Sequence, residues 1–461
     1  MSELICVSPV DGRVVDRRAY ATPAEIDAAV AAAKAAQKAW SRVPLAERSR
    51  VMLAFLDAMK AMNDDMAAEL TLQMGRPVRY GGEMRGVEER VRMMVEIAQE
   101  ALAPIKPKPR EGFTRMIKRE PLGMVFVIAP WNYPYLTTVN SVVPALIAGN
   151  AVILKHADQT ILAGDRFQAA MDAAGLPEGL FQHLPMTHAD AATLLGSGLV
   201  DYVSFTGSVR GGREVERALA GTFASLGLEL GGKDPAYVRA DANIAHAIEN
   251  LADGAYFNSG QCCCGIERIY VDAKVYDDFV GGFEAMVKSY VLGNPLEQST
   301  TLGPMSHARF AATVRDHVDQ AITSGAYPHI DTKTFAADAP GTPYVAPQLL
   351  TNVNHTMRVM REETFGPVVG IMKVESEAEA IRLMNDSEYG LTASIWTSDA
   401  EASERIGAEI ETGTVFMNRC DYVDPGLPWT GVKNTGRGAA LSVLGFHALT
   451  QPKGYHLRTA L

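Results

Sequence analysis

The apolar positions fall into two textures, and the change comes near residue 122. Before it the period is helical. Pro23 opens a run of helix formers over residues 24–40. Pro44 opens a second, in which Leu45, Val51, Leu53, Phe55, Leu56 and Met59 form one apolar stripe. A third helix is expected over residues 78–102, ended by the prolines at 104, 107 and 109. Residues 113–119 alternate as one strand of a hairpin. Beyond 122, short apolar runs at 124–129, 151–154, 180–184, 200–205 and 224–230 alternate with helical windows at 137–148, 158–174, 188–195 and 209–219. Strands that are apolar on both faces, separated by helices, predict an α/β fold with a parallel sheet covered on both sides. A second strand–helix series follows over residues 267–417, and residues 332–347 read as a Pro/Gly/Ala-rich loop.

Composition narrows the class. The chain has 461 residues, 47% hydrophobic and 21% charged, which fits two to three globular domains. Its net charge of −11, without a basic block, argues against a nucleic-acid partner or an anionic membrane surface. The first 18 residues carry Glu3, Asp11, Arg13 and Asp16 and lack an export-type apolar core. The longest apolar stretch, 142–154, is broken by Pro144, Gly149 and Asn150 and is too short to span a bilayer. Five cysteines, three of them adjacent, predict free thiols in a reducing, cytoplasmic setting. With no CxxC and no His pair at i, i+4, no structural metal site is expected.

Five motifs can carry chemistry. Asn258-Ser259-Gly260 turns the chain sharply into Cys262-Cys263-Cys264, where a thiol of lowered pKa would be a nucleophile and an ordinary buried thiol a small hydrophobe. Glu229, between Leu228 and Leu230 and ahead of Gly231-Gly232-Lys233, is a general base if desolvated and a solvated strand end otherwise. Asn132 is pinned between Pro130 and Pro134, so its amide suits either an oxyanion or a helix cap. Phe205-Thr206-Gly207-Ser208, with Gly212 beyond it, is a strand–helix turn able to hold a pyrophosphate; Arg213-Glu214 stands where a P-loop needs Lys-Ser/Thr. Lys155 and Asp158 follow a strand, where they bracket ribose hydroxyls or lie in solvent.

Taken together, Pro130-Trp131-Asn132-Tyr133-Pro134, Phe205-Thr206-Gly207-Ser208, Leu228-Glu229-Leu230-Gly231-Gly232, Gly260-Gln261-Cys262-Cys263 and Glu362-Glu363-Thr364-Phe365-Gly366-Pro367 resemble, in order and over nearly the whole chain, the aldehyde dehydrogenase superfamily. The resemblance implies a Rossmann-like cofactor domain plus an α/β catalytic domain, and oxidation of an aldehyde to its acid with NAD or NADP. It puts the nucleophile at Cys263, 34 residues after the base Glu229, with Asn132 as the oxyanion amide. It assigns cofactor contacts to Trp131, Lys155, Asp158, Thr206, Gly207, Ser208, Gly212, Leu230, Glu363 and Phe365. The aldehyde would meet Tyr133, Phe257 and Trp429. Glu229 favours hydrolysis of the acyl-enzyme over transfer to coenzyme A. Asp158 stands where many NAD-preferring relatives carry Glu, and Pro428-Trp429-Thr430-Gly431 where Pro-Phe-Gly-Gly is common, which leaves the cofactor preference and the aldehyde open.

By the same analogy residues 1–102 and 122–230 form the cofactor domain, 231–449 the catalytic domain, and 103–121 with 450–461 a small sheet that joins subunits into a homodimer or homotetramer. The rival readings are a non-redox thioester or ester hydrolase using the same cysteine, and a catalytically silent scaffold.

Overall fold

The apolar runs that begin at residue 124 become the strands of a six-stranded sheet in a computed structural model, which describes residues 3–460. Residues 1, 2 and 461, the outermost ends of the expected first and last segments, lie outside the described residues. The sheet order is Gly436–Arg437, Ser225–Glu229, Tyr202–Thr206, Met124–Ile128, Ala151–Lys155, Phe181–His183. All pairings are parallel except that of the short edge strand Gly436–Arg437. Ala151–Lys155 is buried at every position, as a strand covered on both faces must be. The chain runs outward from Met124–Ile128 to Phe181–His183, then resumes on the other side at Tyr202–Thr206. Loops leaving the carboxyl ends of Met124–Ile128 and Tyr202–Thr206 therefore flank a switch point, where open α/β sheets hold ligands.

A second sheet takes the order Tyr327–Pro328, Gln348–Thr351, Val368–Val374, Ile266–Asp272, Asp234–Val238, Thr392–Trp396, Thr414–Met417, parallel except at its first strand. Four residues, 230–233, carry the chain from the end of Ser225–Glu229 into Asp234–Val238. The neighbouring strand Ile266–Asp272 pairs Ile266 with Asp234. The triple cysteine thus enters the second sheet beside the point where Glu229 leaves the first. Near its end the chain returns to the first unit: Trp429, Leu441, Phe446 and Leu449 share a core with Val125, Leu146 and Leu154.

The first hundred residues differ from the expectation in three places. An antiparallel ribbon, Glu3–Val7 with Val14–Ala19, precedes the helices, with only Leu4 and Cys6 of its first strand buried. Asn63–Met74 is a further helix, its buried Met66, Leu70 and Met74 spaced by four and its end set by Gly75 in the left-handed region. The helix expected over 78–102 starts only at Met84; Val78–Tyr80 is a 3-10 turn, and Gly81 and Glu83 at positive φ separate the two. Pro23–Trp40 begins as read, with a Thr22–Glu25 capping box. The 158–174 window divides into a 3-10 turn Asp158–Thr160 and the helix Ile161–Ala173. Phe113–Pro121 closes its local hairpin only through the isolated antiparallel bridges Ile105–Ile117 and Arg110–Phe113; its continuous partner is Thr450–Arg458 from the far end of the chain.

Candidate active site

The loop after Met124–Ile128 brings Trp131, Asn132 and Tyr133 toward the cysteines. Asn132 is buried, and one N–H of its amide donates to the carbonyl of Gln261 at 3.2 Å. The backbone carbonyl of Asn132 accepts from Arg76 at 2.6 Å and from Asn258 at 3.2 Å. Arg76 is itself buried in an ion pair with Glu83 at 2.6 Å and donates to the Asn258 side chain at 3.2 Å. The free oxygen of Glu83 accepts from the amides of Tyr135 and Leu136, the first turn of Pro134–Ala148. One buried charge pair therefore fixes the Asn132 loop, the helix after it and the cysteine turn. The sequence reading missed Arg76 and Glu83, since nothing local links an arginine at 76 to residues 132 and 258. The one available signal was a charge pair astride Gly81-Gly82.

The cysteine turn is built from residues in left-handed conformation: Asn258, Ser259 and Gly260 have φ of 54°, 55° and 68°. At Gly260 a Cβ would collide with the backbone carbonyl of Gly366, so only glycine allows this approach. Cys262 and Cys264 are buried, whereas Cys263 is half-buried and reaches the open side. Hydrogen bonds from Cys262 and then Cys264 hold the Cys263 thiol down at about 6, against burial and the nearby Asp234 and Glu363 carboxyls. Cys262 Sγ and Cys264 Sγ also lie within hydrogen-bonding distance of Asp421 Oδ1, each at 3.2 Å.

Glu229 ends its strand in register with Thr206, whose hydroxyl donates to Glu229 Oε2 at 3.2 Å. Enclosure pushes its carboxyl up to about 7, countered in part by Thr206 and by the buried Arg90, which also senses Cys264. A cavity of about 20 Å³ lined by Glu229, Tyr202, Ser204, Ser141 and Asn140 adjoins it. That volume admits one water. Gly232 has no room for a side chain because the Cys263 carbonyl lies against it. The Glu229 strand exit and the nucleophile candidate are packed together through that glycine.

The other side of the site is a cleft of about 430 Å³ between the helices His188–Gly196 and Val209–Leu219, lined by Ile128, Lys155, Leu195, Phe205, Ser208 and Val215 among others. Ser208 caps Val209–Leu219. A Cβ on Gly207 or Gly211 would come within 2.8 or 2.7 Å of the Phe205 ring, and one on Gly212 within 2.7 Å of Leu230. Gly212 and Leu230 are thus in contact with each other; Gly211 went unremarked in the sequence. Lys155 is buried at the end of its strand, and burial lowers its ammonium pKa. Asp158 accepts from Tyr20 at 2.8 Å through Oδ2, while Oδ1 is buried with no hydrogen-bond partner. A buried acceptor without a donor, beside a lysine at the mouth of an apolar slot, fits the hydroxyls of a bound nucleotide.

Glu363 closes the site from the second unit. Its Oε1 accepts from Gly232 N at 3.0 Å, and a side chain at Gly231 would strike its carboxyl. Burial and the nearby Glu267 push it up to about 8. Its loop hangs on Glu267, which accepts from the amides of Thr364 and Phe365 and pairs with the buried Lys233. Phe365 meets Trp131 edge-on at 5.7 Å, and Trp131 stacks on Phe310 at 5.6 Å. Of the three candidate substrate aromatics, Tyr133 lies under the Arg76 guanidinium and near Cys262 and Asp421. Phe257 packs edge-on to Tyr80, and Trp429 is buried in the first core.

The aldehyde dehydrogenase family model matches residues 2–454. The chain belongs to the aldehyde dehydrogenase family. A succinate-semialdehyde dehydrogenase [NADP(+)] of Deinococcus radiodurans is 32% identical, with 97% of this chain and 93% of that protein aligned. A phenylacetaldehyde dehydrogenase of Pseudomonas fluorescens is 34% identical over 90% of this chain and 84% of its own. Among solved structures, an NAD-dependent aldehyde dehydrogenase from Sinorhizobium meliloti superposes with a TM-score of 0.93 at 32% identity, covering 100% of this chain and 92% of that one. The protein is an aldehyde dehydrogenase that works with NAD or NADP on the expected α/β architecture. No helix among the described residues is long and apolar enough to cross a membrane.

Proposed function

We propose that this aldehyde dehydrogenase converts its aldehyde to the free acid through a covalent intermediate on Cys263, released by water that Glu229 activates. The observation that carries this reading is the convergence of three groups: the Glu229 strand exit packs through Gly232 against the Cys263 backbone, and the Asn132 amide is tied to Gln261, two residues before Cys263. Hydrogen bonds from its neighbours favour the Cys263 thiolate, and enclosure raises the Glu229 carboxyl to about 7, where it takes up or yields a proton near neutral pH. The Cys263 sulfur adds to the carbonyl carbon. The second N–H of Asn132 and the Cys263 backbone N–H face the resulting oxyanion, each donor worth roughly 3–4 kcal/mol. The nicotinamide, when bound, supplies the acceptor for the hydride that the adduct loses in becoming a thioester. Glu229 then takes a proton from water as its oxygen attacks the thioester carbonyl; the acid departs and the Cys263 thiolate is restored.

Lys155 and Asp158 hold the adenosine ribose, and the turn at Thr206, Gly207 and Ser208 the pyrophosphate, with Gly212 and Leu230 packing the helix behind it. Glu363 holds the nicotinamide ribose, flanked by Trp131 and Phe365. Tyr133, Phe257 and Trp429 line the aldehyde path. The first sheet with its helices forms the cofactor domain and the second sheet the catalytic domain. The chain assembles as a homodimer or homotetramer along the Phe113–Pro121 and Thr450–Arg458 ribbon, in which the outer edge of Thr450–Arg458 has no strand partner among the described residues. Five free thiols, one of them catalytic, suit a reducing, cytoplasmic compartment.

Aliphatic, aromatic and acid-tailed aldehydes assayed with NAD and NADP in parallel test the reading. Reduced cofactor and free acid in equal amounts support it. Acid formed from an ester or thioester with no cofactor dependence in any arm overturns it in favour of a non-redox hydrolase. Light scattering tests the assembly, which a monomer at working concentration contradicts.

A further inference from the structure

The three adjacent cysteines do not point apart. Their sulfurs all lie within 4.8 Å of one another. Cys262 Sγ and Cys264 Sγ are 3.5 Å apart, and each is 3.2 Å from Asp421 Oδ1. Asp421 sits at positive φ, and it forms no ion pair among the described residues. Burial, and then the neighbouring Cys262, disfavour its anion. The active site thus contains a carboxyl with no cation opposite it, ringed by sulfur. The aldehyde reaction assigned to Cys263 uses neither Asp421 nor three sulfurs.

The sulfur spacings fit three vertices of a tetrahedral soft-metal centre. Metal–sulfur bonds of about 2.3 Å put tetrahedral sulfurs about 3.8 Å apart, and a carboxylate oxygen at about 2.1 Å lies somewhat closer to each. The three sulfurs, all within 4.8 Å of one another and 3.5 Å apart for Cys262 and Cys264, span the sulfur–sulfur edge. Asp421 Oδ1 lies 3.2 Å from Cys262 and Cys264 but outside the cluster that contains Cys263, and completes the ligand set by swinging toward that sulfur. Thiolates select Zn²⁺ and Cd²⁺ over Mg²⁺ or Ca²⁺. Cys263, the half-buried member, supplies the entry path. Buried Arg90 senses Cys264 and offsets part of the surplus negative charge of such a ligand set.

We propose that Cys262, Cys263, Cys264 and Asp421 form a reversible inhibitory site for a thiophilic divalent cation. Binding forms sulfur–metal and oxygen–metal bonds, releases to solvent the protons carried by the thiols and by Asp421, and involves no change of oxidation state. The occupied site withholds the Cys263 sulfur from the aldehyde. That consequence rests on Cys263 being the nucleophile; the binding itself does not.

The test is a Cd²⁺ titration of the full-length protein, read by thiolate-to-cadmium ultraviolet absorbance and, in parallel, by turnover. One Cd²⁺ per chain is expected, with absorbance and inhibition saturating together and EDTA restoring activity. Asp421→Asn and Cys264→Ser should each raise the half-saturating Cd²⁺ concentration at least tenfold in the absorbance readout. Cys263→Ala should still bind Cd²⁺, more weakly, through the remaining ligands. The proposal is overturned if both substitutions leave the titration unchanged, which assigns the effect to one thiol alone, or if inhibition occurs without the absorbance or survives EDTA. Turnover retained in Cys263→Ala would instead overturn the catalytic reading while leaving the absorbance result standing.

Discussion

Asn132 donates to the carbonyl of Gln261 at 3.2 Å, two residues before Cys263, and so ties the oxyanion candidate to the nucleophile loop across 129 positions of sequence. Both partners belong to a buried scaffold whose charged centre is Arg76 with Glu83. Replacing Arg76 with Met strands Glu83 as an unpaired buried carboxyl. The expected loss of stability is about 3–5 kcal/mol. Denaturant unfolding of the variant checks it, and an unchanged midpoint contradicts the scaffold role. Arg76→Lys, which keeps the charge but not the fork, should retain more stability than Arg76→Met yet lose kcat, because Asn132 and Asn258 share the fork.

Glu229 and Thr206 set the pH response. A carboxyl raised to about 7 becomes a base as pH rises through that value, so the hydrolytic rate should climb across neutrality. The Thr206 hydroxyl favours the ionised form. Thr206→Val should therefore move the climb to higher pH, and a shift to lower pH would reverse the assigned sign. Rapid-mixing assays from pH 5.5 to 9 read the midpoint.

Glu229→Gln should accumulate the thioester. Reduced cofactor then appears in a burst of about one equivalent per active site, followed by a slow phase. A linear trace at the parent rate assigns the base elsewhere.

Lys155→Ala should raise the KM for cofactor while changing kcat less, since the proposed site sets it against the nucleotide and away from the reacting atoms. Losing a charged hydrogen bond costs about 1.5–3 kcal/mol, or roughly 10–100-fold in affinity. Fluorescence titration with reduced cofactor checks this, and undiminished affinity removes Lys155 from the nucleotide site.

Much of the first sheet was legible because both-face burial leaves short apolar runs, such as those at 124–129, 151–154 and 200–205. The carboxyl-end loops then identified themselves by Gly, Pro and polar residues. What escaped the sequence was long-range. The Glu3–Val7 ribbon buries only Leu4 and Cys6, too few positions to stand out. The helix starting at Met84 begins late because Gly81 and Glu83 take positive φ, a choice made by the contacts of Glu83 with Arg76 and the Pro134–Ala148 helix. Asp421 gained meaning only when folding set it against Cys262 and Cys264, 159 and 157 residues away. The partner of Phe113–Pro121 lay at the opposite terminus, so alternation revealed the strand and not its pairing.

The central claim is that one particular sulfur of three carries the acyl group. It is tested most directly by mixing the Glu229→Gln enzyme with aldehyde and oxidised cofactor, quenching in acid, and locating the adduct by tandem mass spectrometry of the peptide spanning residues 258–268. The account predicts an acyl group, the aldehyde less two hydrogens, on Cys263 alone and only when cofactor is present. The same mass on Cys262 or Cys264, or its appearance without cofactor, contradicts it.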